Sequence, residues 1–255
     1  MQLGRITIFP IKSLDGVPVE TARITRGGIL EKDRIYAIYD ADGKVVNGKR
    51  TPRVHELRCE FDAQIAEVRL GRDGESPAQF PLDNRSPAGK WLSDFFGFPV
   101  VLRHEPQSGF PDDRTAFGPT ITSEASLRTV RSWFPELTLA SARRRFRANL
   151  ELADGEPFGE DRLFGAPDEL KSFQIGAVEF LGHNPCQRCV VPTRDPDTAQ
   201  AITDFQKKFM QLRREHLPEW ANPQRFNHFY RFAVNTSIPP TEAGKHLRLG
   251  DKLEL

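Results

Sequence analysis

At 255 residues the chain is long enough for one large or two small domains with a full hydrophobic core. Its 36 lysines and arginines balance 35 aspartates and glutamates, which excludes a global attraction for nucleic acid and makes any anion site a local one. Three cysteines are too few for a secreted disulfide framework and fit a reducing compartment. The opening Met-Gln-Leu-Gly-Arg-Ile-Thr-Ile-Phe-Pro carries no apolar signal core, and no later run approaches a bilayer span. A soluble cytoplasmic protein that does not touch membranes is the expectation.

The first hundred residues read mainly as strands. Leu3 to Phe9, Val19 to Thr25, Arg34 to Tyr39 and Ile65 to Leu70 are short, rich in β-branched or aromatic residues, and separated by Gly, Pro and Asp turns. Asp42-Gly43, between Tyr39 and Val45, signals a hairpin. A helix is expected after Ser86-Pro87, where Trp91, Leu92, Phe95 and Phe96 share a face and Gly97 can close it. His104 to Arg114 is polar and broken by Pro and Gly, and reads as a linker or long loop. Ser123 can cap a helix carrying Leu127, Val130 and Phe134, stopped by Pro135. Strands are predicted over Arg144 to Leu152 and Phe173 to Leu181. A helix opening at Asp197 or Thr198 sets Ile202, Phe205, Phe209 and Leu212 on one stripe. Strands Phe229 to Thr236 and Leu247 to Leu255 close the chain. Many strands, few helices and short turns predict a mainly β fold with flanking helices, built from barrel-like parts.

Chemistry concentrates in Asn184-Pro-Cys-Gln-Arg-Cys189-Val-Val-Pro-Thr-Arg194. A thiol beside guanidinium groups is biased toward thiolate, the form that attacks electrophiles or binds soft metals. A redox Cys-x-x-Cys needs a helix N-terminus, and Val190-Val191-Pro192 opens a helix poorly. Zinc needs four ligands, whereas His183, Cys186 and Cys189 supply three with no second pair nearby. Two inert buried cysteines are the plain alternative, made expensive by Arg188 and Arg194. The fourth reading is a single-thiolate ligand to a metal cofactor that brings its own other ligands. A second cluster bears on it. If Arg143-Arg-Arg-Phe-Arg-Ala-Asn149 is a strand, Arg143, Arg145, Arg147 and Asn149 share one face and suit a phosphate-bearing ligand. A solvated basic face explains the row equally well. Ser123 either adds helix-start amides for an anion or simply caps its helix. Lys12-Ser13, just past Pro10, offers a point charge and a hydroxyl.

Taken together these residues resemble the MOSC-domain proteins that carry an extra N-terminal β-barrel, the group containing the mitochondrial amidoxime-reducing components and their bacterial relatives. The resemblance runs end to end, over Phe9-Pro-Ile-Lys-Ser13, Lys32-Asp-Arg34, Ser123-Glu-Ala-Ser-Leu127, Phe146-Arg-Ala-Asn149, Glu160-Asp161, Cys186-Gln-Arg-Cys189, Asp195-Pro-Asp-Thr198 and Gly250-Asp251. It implies an N-terminal barrel-like domain over residues 1–113 packed on a MOSC β-barrel domain over residues 114–255. It implies a molybdenum cofactor, a pyranopterin dithiolene ending in a phosphate, with Cys189 as the metal ligand and catalytic residue. Lys12, Ser13, Arg34, Arg147 and Asn149 map onto the positions that hold it, Arg188 beside the ligand and Ser123 at a helix start are added as candidate cofactor contacts, and Cys186 becomes secondary. The implied activity is reduction of N-hydroxylated compounds such as hydroxylamines or amidoximes. No cysteine follows Cys189, so no iron–sulfur domain is expected and a separate protein must donate electrons. Lys207, Lys208, Arg213 and Arg214 form either a docking face for such a donor or a solvated helix face. The stretch Gly118-Pro-Thr-Ile-Thr122 departs from the apolar run of the amidoxime-reducing members. A sulfur carrier using a Cys189 persulfide is the rival reading, and a cofactor carrier without turnover a third.

Overall fold

Strand β1 (Gln2–Ile8) buries Leu3, Ile6 and Ile8, which a strict alternation would place on opposite faces. A register shift between Leu3 and Arg5 resolves this: the bulge turns both Leu3 and Ile6 inward. The structure, a computed structural model, describes all of residues 1–255. The remaining strands are β2 (Val17–Val19), β3 (Thr21–Arg23), β4 (Tyr36–Asp40), β5 (Arg58–Phe61), β6 (Glu67–Gly71), β7 (Ala78–Pro81), β8 (Val100–His104), β9 (Ile121–Ser123), β10 (Leu150–Ala153), β11 (Lys171–Ile175), β12 (Val178–Gln187), β13 (Arg231–Ser237), β14 (His246–Arg248) and β15 (Leu253–Glu254). Four helices accompany them: α1 (Ser86–Phe96), α2 (Glu124–Trp133), α3 (Leu139–Phe146) and α4 (Phe205–Glu215).

The main sheet has eight strands in the order β15-β11-β12-β13-β9-β10-β1-β2. Its one parallel pair, β9 with β10, is bridged by α2 and α3 as a crossover. The first two strands of the chain therefore belong to the sheet of the C-terminal half, and β3 pairs with β14 near the C-terminus. Smaller sheets β4-β8 and β5-β6-β7 complete the N-terminal half. The mainly β fold with outer helices is as read from the sequence, but hydrogen bonding does not close either half into a ring. One apolar cluster of 40 buried residues runs through both halves, so they share a core rather than meeting across a wet interface. A second lies under the helices, where Phe134, Phe146, Phe205, Phe209, Tyr230 and Phe232 interlock.

The Asp42-Gly43 turn forms, with Gly43 at φ +72° donating its N–H to Asp40. Gly97, at φ +79°, ends α1 as expected. Five expectations fail. Val19 to Thr25 is not one strand: the chain bends at Glu20, leaving β2 and β3 in different sheets. The Arg143–Asn149 stretch is not a strand. Thr138 caps α3, Ala142 and Phe146 bury one helical face, and Arg147 ends the helix at φ +52°. The last helix starts at Phe205, because the Asp195 carboxylate accepts the N–H groups of Asp197 and Thr198 and folds that segment into a turn. Phe173 to Leu181 is a hairpin, turned at Gly176 with φ +58°. Leu247 to Leu255 is likewise broken at Gly250, leaving β14 and β15 in different sheets. No helix is long and apolar enough to cross a membrane.

Candidate functional site

Where β1 leaves the sheet, the Phe9 N–H is captured by buried Asp33 at 2.7 Å. That bond fixes the Phe9 ring, and two guanidiniums lie over it: Arg147 at 4.2 Å from the centroid and Arg34 at 5.3 Å. Arg34 also donates to Asp33 and, at 3.0 Å, to Asn149 Oδ1. Asn149 returns its amide to Asp33 and to the Thr7 carbonyl, both at 3.0 Å. Ser13, Arg34 and Arg147 all hold positive φ, at 77°, 50° and 52°. Three non-glycine residues in the left-handed region at one place is strain that the surrounding packing must impose.

The charges here are unevenly matched. Arg34 is held above the ordinary arginine range: burial works downward and is outweighed by Asp33 and Asp112. Arg147 is pushed down to about 10, first by burial and then by repulsion from Arg34, against weaker help from Asp15, Asp112 and Asp33. It makes no ion pair and spends one donor on the Leu14 carbonyl at 2.6 Å. Lys12 Nζ is held by the carbonyls of Phe110 and Pro111 at 2.9 Å and by Asp112 at 2.8 Å. Desolvation raises the carboxyl of Asp112, whose side chain is exposed, but Lys12, Arg34 and Arg147 outweigh this and bring it to about 2.

The thiol segment faces this wall. Strand β12 runs through Cys186 to Gln187, and the Arg188 N–H stays bonded to Tyr230 O at 3.0 Å. Arg188 Nη1 then reaches back to Cys186 Sγ at 3.1 Å, Nη2 donates to Phe146 O at 2.6 Å, and its buried Nε has no partner. Cys189 is half-buried, and its sulfur accepts the Val191 N–H at 3.5 Å. A single turn over Val191–Thr193 follows, and Arg194 ties the segment to Gly48 O in the N-terminal half. Lys12, Ser13, Arg34, Arg147, Arg188 and Cys189 all line one cleft of about 910 Å³. No three His, Cys, Asp or Glu side chains converge in metal-binding geometry anywhere in the chain. A metal held here by protein thiolate would need its other ligands from elsewhere.

Comparison with known proteins fits this geometry. Residues 1–99 match the MOSC N-terminal beta barrel domain, and residues 116–254 match the MOSC domain. The chain belongs to the MOSC family. Mitochondrial amidoxime-reducing component 1 of Homo sapiens is 27% identical over 235 residues, covering 77% of this chain and 67% of that protein. The protein of the same name from Mus musculus is 25% identical over 238 residues, covering 77% of this chain and 66% of its own length. Molybdenum cofactor sulfurase of Drosophila grimshawi is 26% identical over 248 residues, 83% of this chain but 31% of that protein. The chain thus spans about two thirds of the amidoxime-reducing relatives and under a third of the sulfurase.

Within this MOSC site two expected residues do not line the cleft. Asn149, 1% exposed, is a strut that holds Asp33 and Arg34. Ser123, also 1% exposed, caps α2 and donates to Glu160 at 2.9 Å. Thr122 and Ser126 bind the same carboxylate, so the helix start already faces a built-in anion. The basic face of α4 is also reduced, since Arg213 is buried against Asp161 and stacks on Phe158 at 3.9 Å. Two groups lining the cleft went unread, His55 and Asp112, and Arg194 was read only as a neighbour of the thiols. Asp112 fell in a segment read as linker. His55 and Arg194 meet across 139 positions of sequence, and no short motif signals such a pairing.

Proposed function

We propose that the cleft binds a molybdenum cofactor and that the protein is a molybdenum-dependent oxidoreductase that reduces N-hydroxylated compounds, with electrons from a separate donor protein. We place it in the cytoplasm and assign residues 1–113 and 114–255 to its two domains. One observation carries the reading: a half-buried thiol shares a cleft with Arg147, a half-buried guanidinium that has no carboxylate partner. Buried unpaired charge is costly, and an anionic ligand relieves it. The name molybdenum cofactor sulfurase supports this class of ligand, and the name amidoxime-reducing component supports the class of substrate.

The residues present fit such a group. Cys189 would supply the single protein thiolate. Lys12, Ser13, Arg34 and Arg147 would hold its phosphate, and Arg188 would fix the thiol segment through Phe146 O and Cys186. When bound, the cofactor supplies two-electron redox chemistry at molybdenum. The reaction consumes two electrons and two protons, breaks the N–O bond and releases water and the amine or amidine. The protein's own part is to orient and to neutralise. Lys12 must exchange Asp112 for the ligand, because its three observed acceptors occupy all its donors. Positive φ at Ser13, Arg34 and Arg147 keeps these side chains aimed without large rearrangement.

Turnover of a hydroxylamine or amidoxime with a chemical reductant tests the reading in protein made in a cofactor-competent host. Wild type is expected to turn over, and Cys189→Ser to be inactive with an unchanged melting temperature. Full turnover by Cys189→Ser would refute it. A second reading, sulfur transfer through a Cys189 persulfide, is supported by the sulfurase relatives. It requires labile sulfur on Cys189 and has no use for the cations at Lys12 and Arg147.

A further inference from the structure

Behind the main cleft lies a smaller cavity of about 40 Å³. That is room for about two or three waters, or for one tetrahedral oxyanion. Four arginines line it, Arg144, Arg145, Arg147 and Arg194, with His55. Asp15 is the only carboxylate in the lining.

Two of these cations are already satisfied. Arg144 pairs with Asp15 and Asp197, and Arg145 donates to Pro192 O and pairs with Asp195. Arg147 and Arg194 make no ion pair; each donates to one backbone carbonyl, of Leu14 and Gly48 respectively. A guanidinium carries five N–H donors, so most of their capacity is unspent. His55 adds a further orphan: its Nε2 is sealed from solvent and has no hydrogen-bond partner. Burial first, then Arg194, Arg147 and Arg145, hold its protonation down, with Asp195 alone opposing them. An apolar filler would offer these donors nothing, whereas an oxyanion supplies acceptors to both guanidiniums and to His55 Nε2.

We propose that this cavity is a second anion site that takes a tetrahedral oxyanion, with Arg147, Arg194 and the His55 imidazolium as its donors. Of the phosphate contacts assigned to the main cleft, Lys12 and Arg34 do not line it, whereas Ser13 and Arg147 do; Arg194 lines only this cavity. Ser13, His55, Arg145 and Arg147 border both spaces, so the oxyanion comes either free from solution or as a phosphate ester reaching through from the cleft. The inference rests on unpaired charge and stands whether or not the molybdenum reading holds. Bound anion replaces repulsion by attraction at Nε2, so binding takes up a proton.

Sulfate is the probe, because its charge is constant between about pH 6 and pH 8 while that of histidine is not. Calorimetric titration of cofactor-free protein is expected to show saturable one-site binding that is tighter at the lower pH. Arg194→Gln should weaken it roughly tenfold, the loss of one charge-assisted hydrogen bond. His55→Gln, at a partly exposed position, should bind with no pH dependence and an unchanged melting temperature, which keeps the test open if Arg194→Gln folds poorly. Repeating the titration on cofactor-loaded protein identifies the source: blocked binding means a phosphate ester fills the site, and retained binding means a free oxyanion does. The absence of saturable sulfate binding would overturn the proposal. So would binding that Lys12→Met removes and that Arg194→Gln and His55→Gln leave unchanged.

Discussion

Two faces of the Arg143–Arg147 run differ in one respect. On one side Arg143 is clamped by Glu124 and Glu151, and Arg144 by Asp15 and Asp197, around a cavity of about 580 Å³. On the other, Arg147 faces the main cleft beside Arg34 with no carboxylate of its own. Residue type and sequence neighbourhood are the same. What separates the structural arginines from the one we propose binds a ligand is whether the fold has supplied a counter-charge. The paired face is complete without a ligand; the cleft face is not.

The largest effect expected from breaking that asymmetry is at Cys189, where serine should remove turnover altogether. Arg147→Met comes next. It should cost about ten- to a hundredfold in cofactor retention, the worth of a hydrogen bond to a charged group. Its thermal stability should hold or rise, because a half-buried cation repelled by Arg34 is gone. Arg143→Met should do the reverse, leaving retention unchanged while costing stability through its Glu151 pair, about 1 kcal/mol by denaturant titration. Matching retention losses in the two variants would erase the distinction between the faces.

Asn149→Ala sharpens the same point from within the core. With Asp33 and Arg34 each losing a buried partner, it should destabilise by about 2–3 kcal/mol in urea. Reduced retention without destabilisation would instead make Asn149 a direct ligand contact. The smallest effect is at Asp112. Its carboxyl sits near 2, below the ordinary aspartate value of 3.8, so its stabilising contribution is full above pH 3.8 and is lost as pH falls through about 2. Wild type should therefore exceed Asp112→Asn in stability near neutrality, with the gap narrowing as acid is added. A gap independent of pH would assign the effect to something other than this charge.

Local signals were legible where one residue or one short period decides the structure. Gly43 and Gly97 mark a turn and a helix end because positive φ suits glycine. Cys189, Lys12, Ser13, Arg34, Arg147 and Arg188 could be collected as candidates, and the fold brings all six to one cleft. The arginine run misled because its period-2 row of charge hid Leu139, Ala142 and Phe146, which repeat at helical spacing. Ser123 and Asn149 were placed with the ligand for want of their partners. Glu160, Asp33 and Thr7 lie far from them in sequence, and only the folded sheet shows that each is already satisfied. Asp112 was illegible for the same reason, since its role depends on Lys12 a hundred residues away.

Metal content is the most direct test of the central claim, that a cleft built around Cys189 holds a molybdenum cofactor. Protein from a cofactor-competent host should carry near-stoichiometric molybdenum, with none in Cys189→Ala and little in Arg147→Met. Metal-free wild type with labile sulfur on Cys189, or undiminished molybdenum in Cys189→Ala, would contradict it.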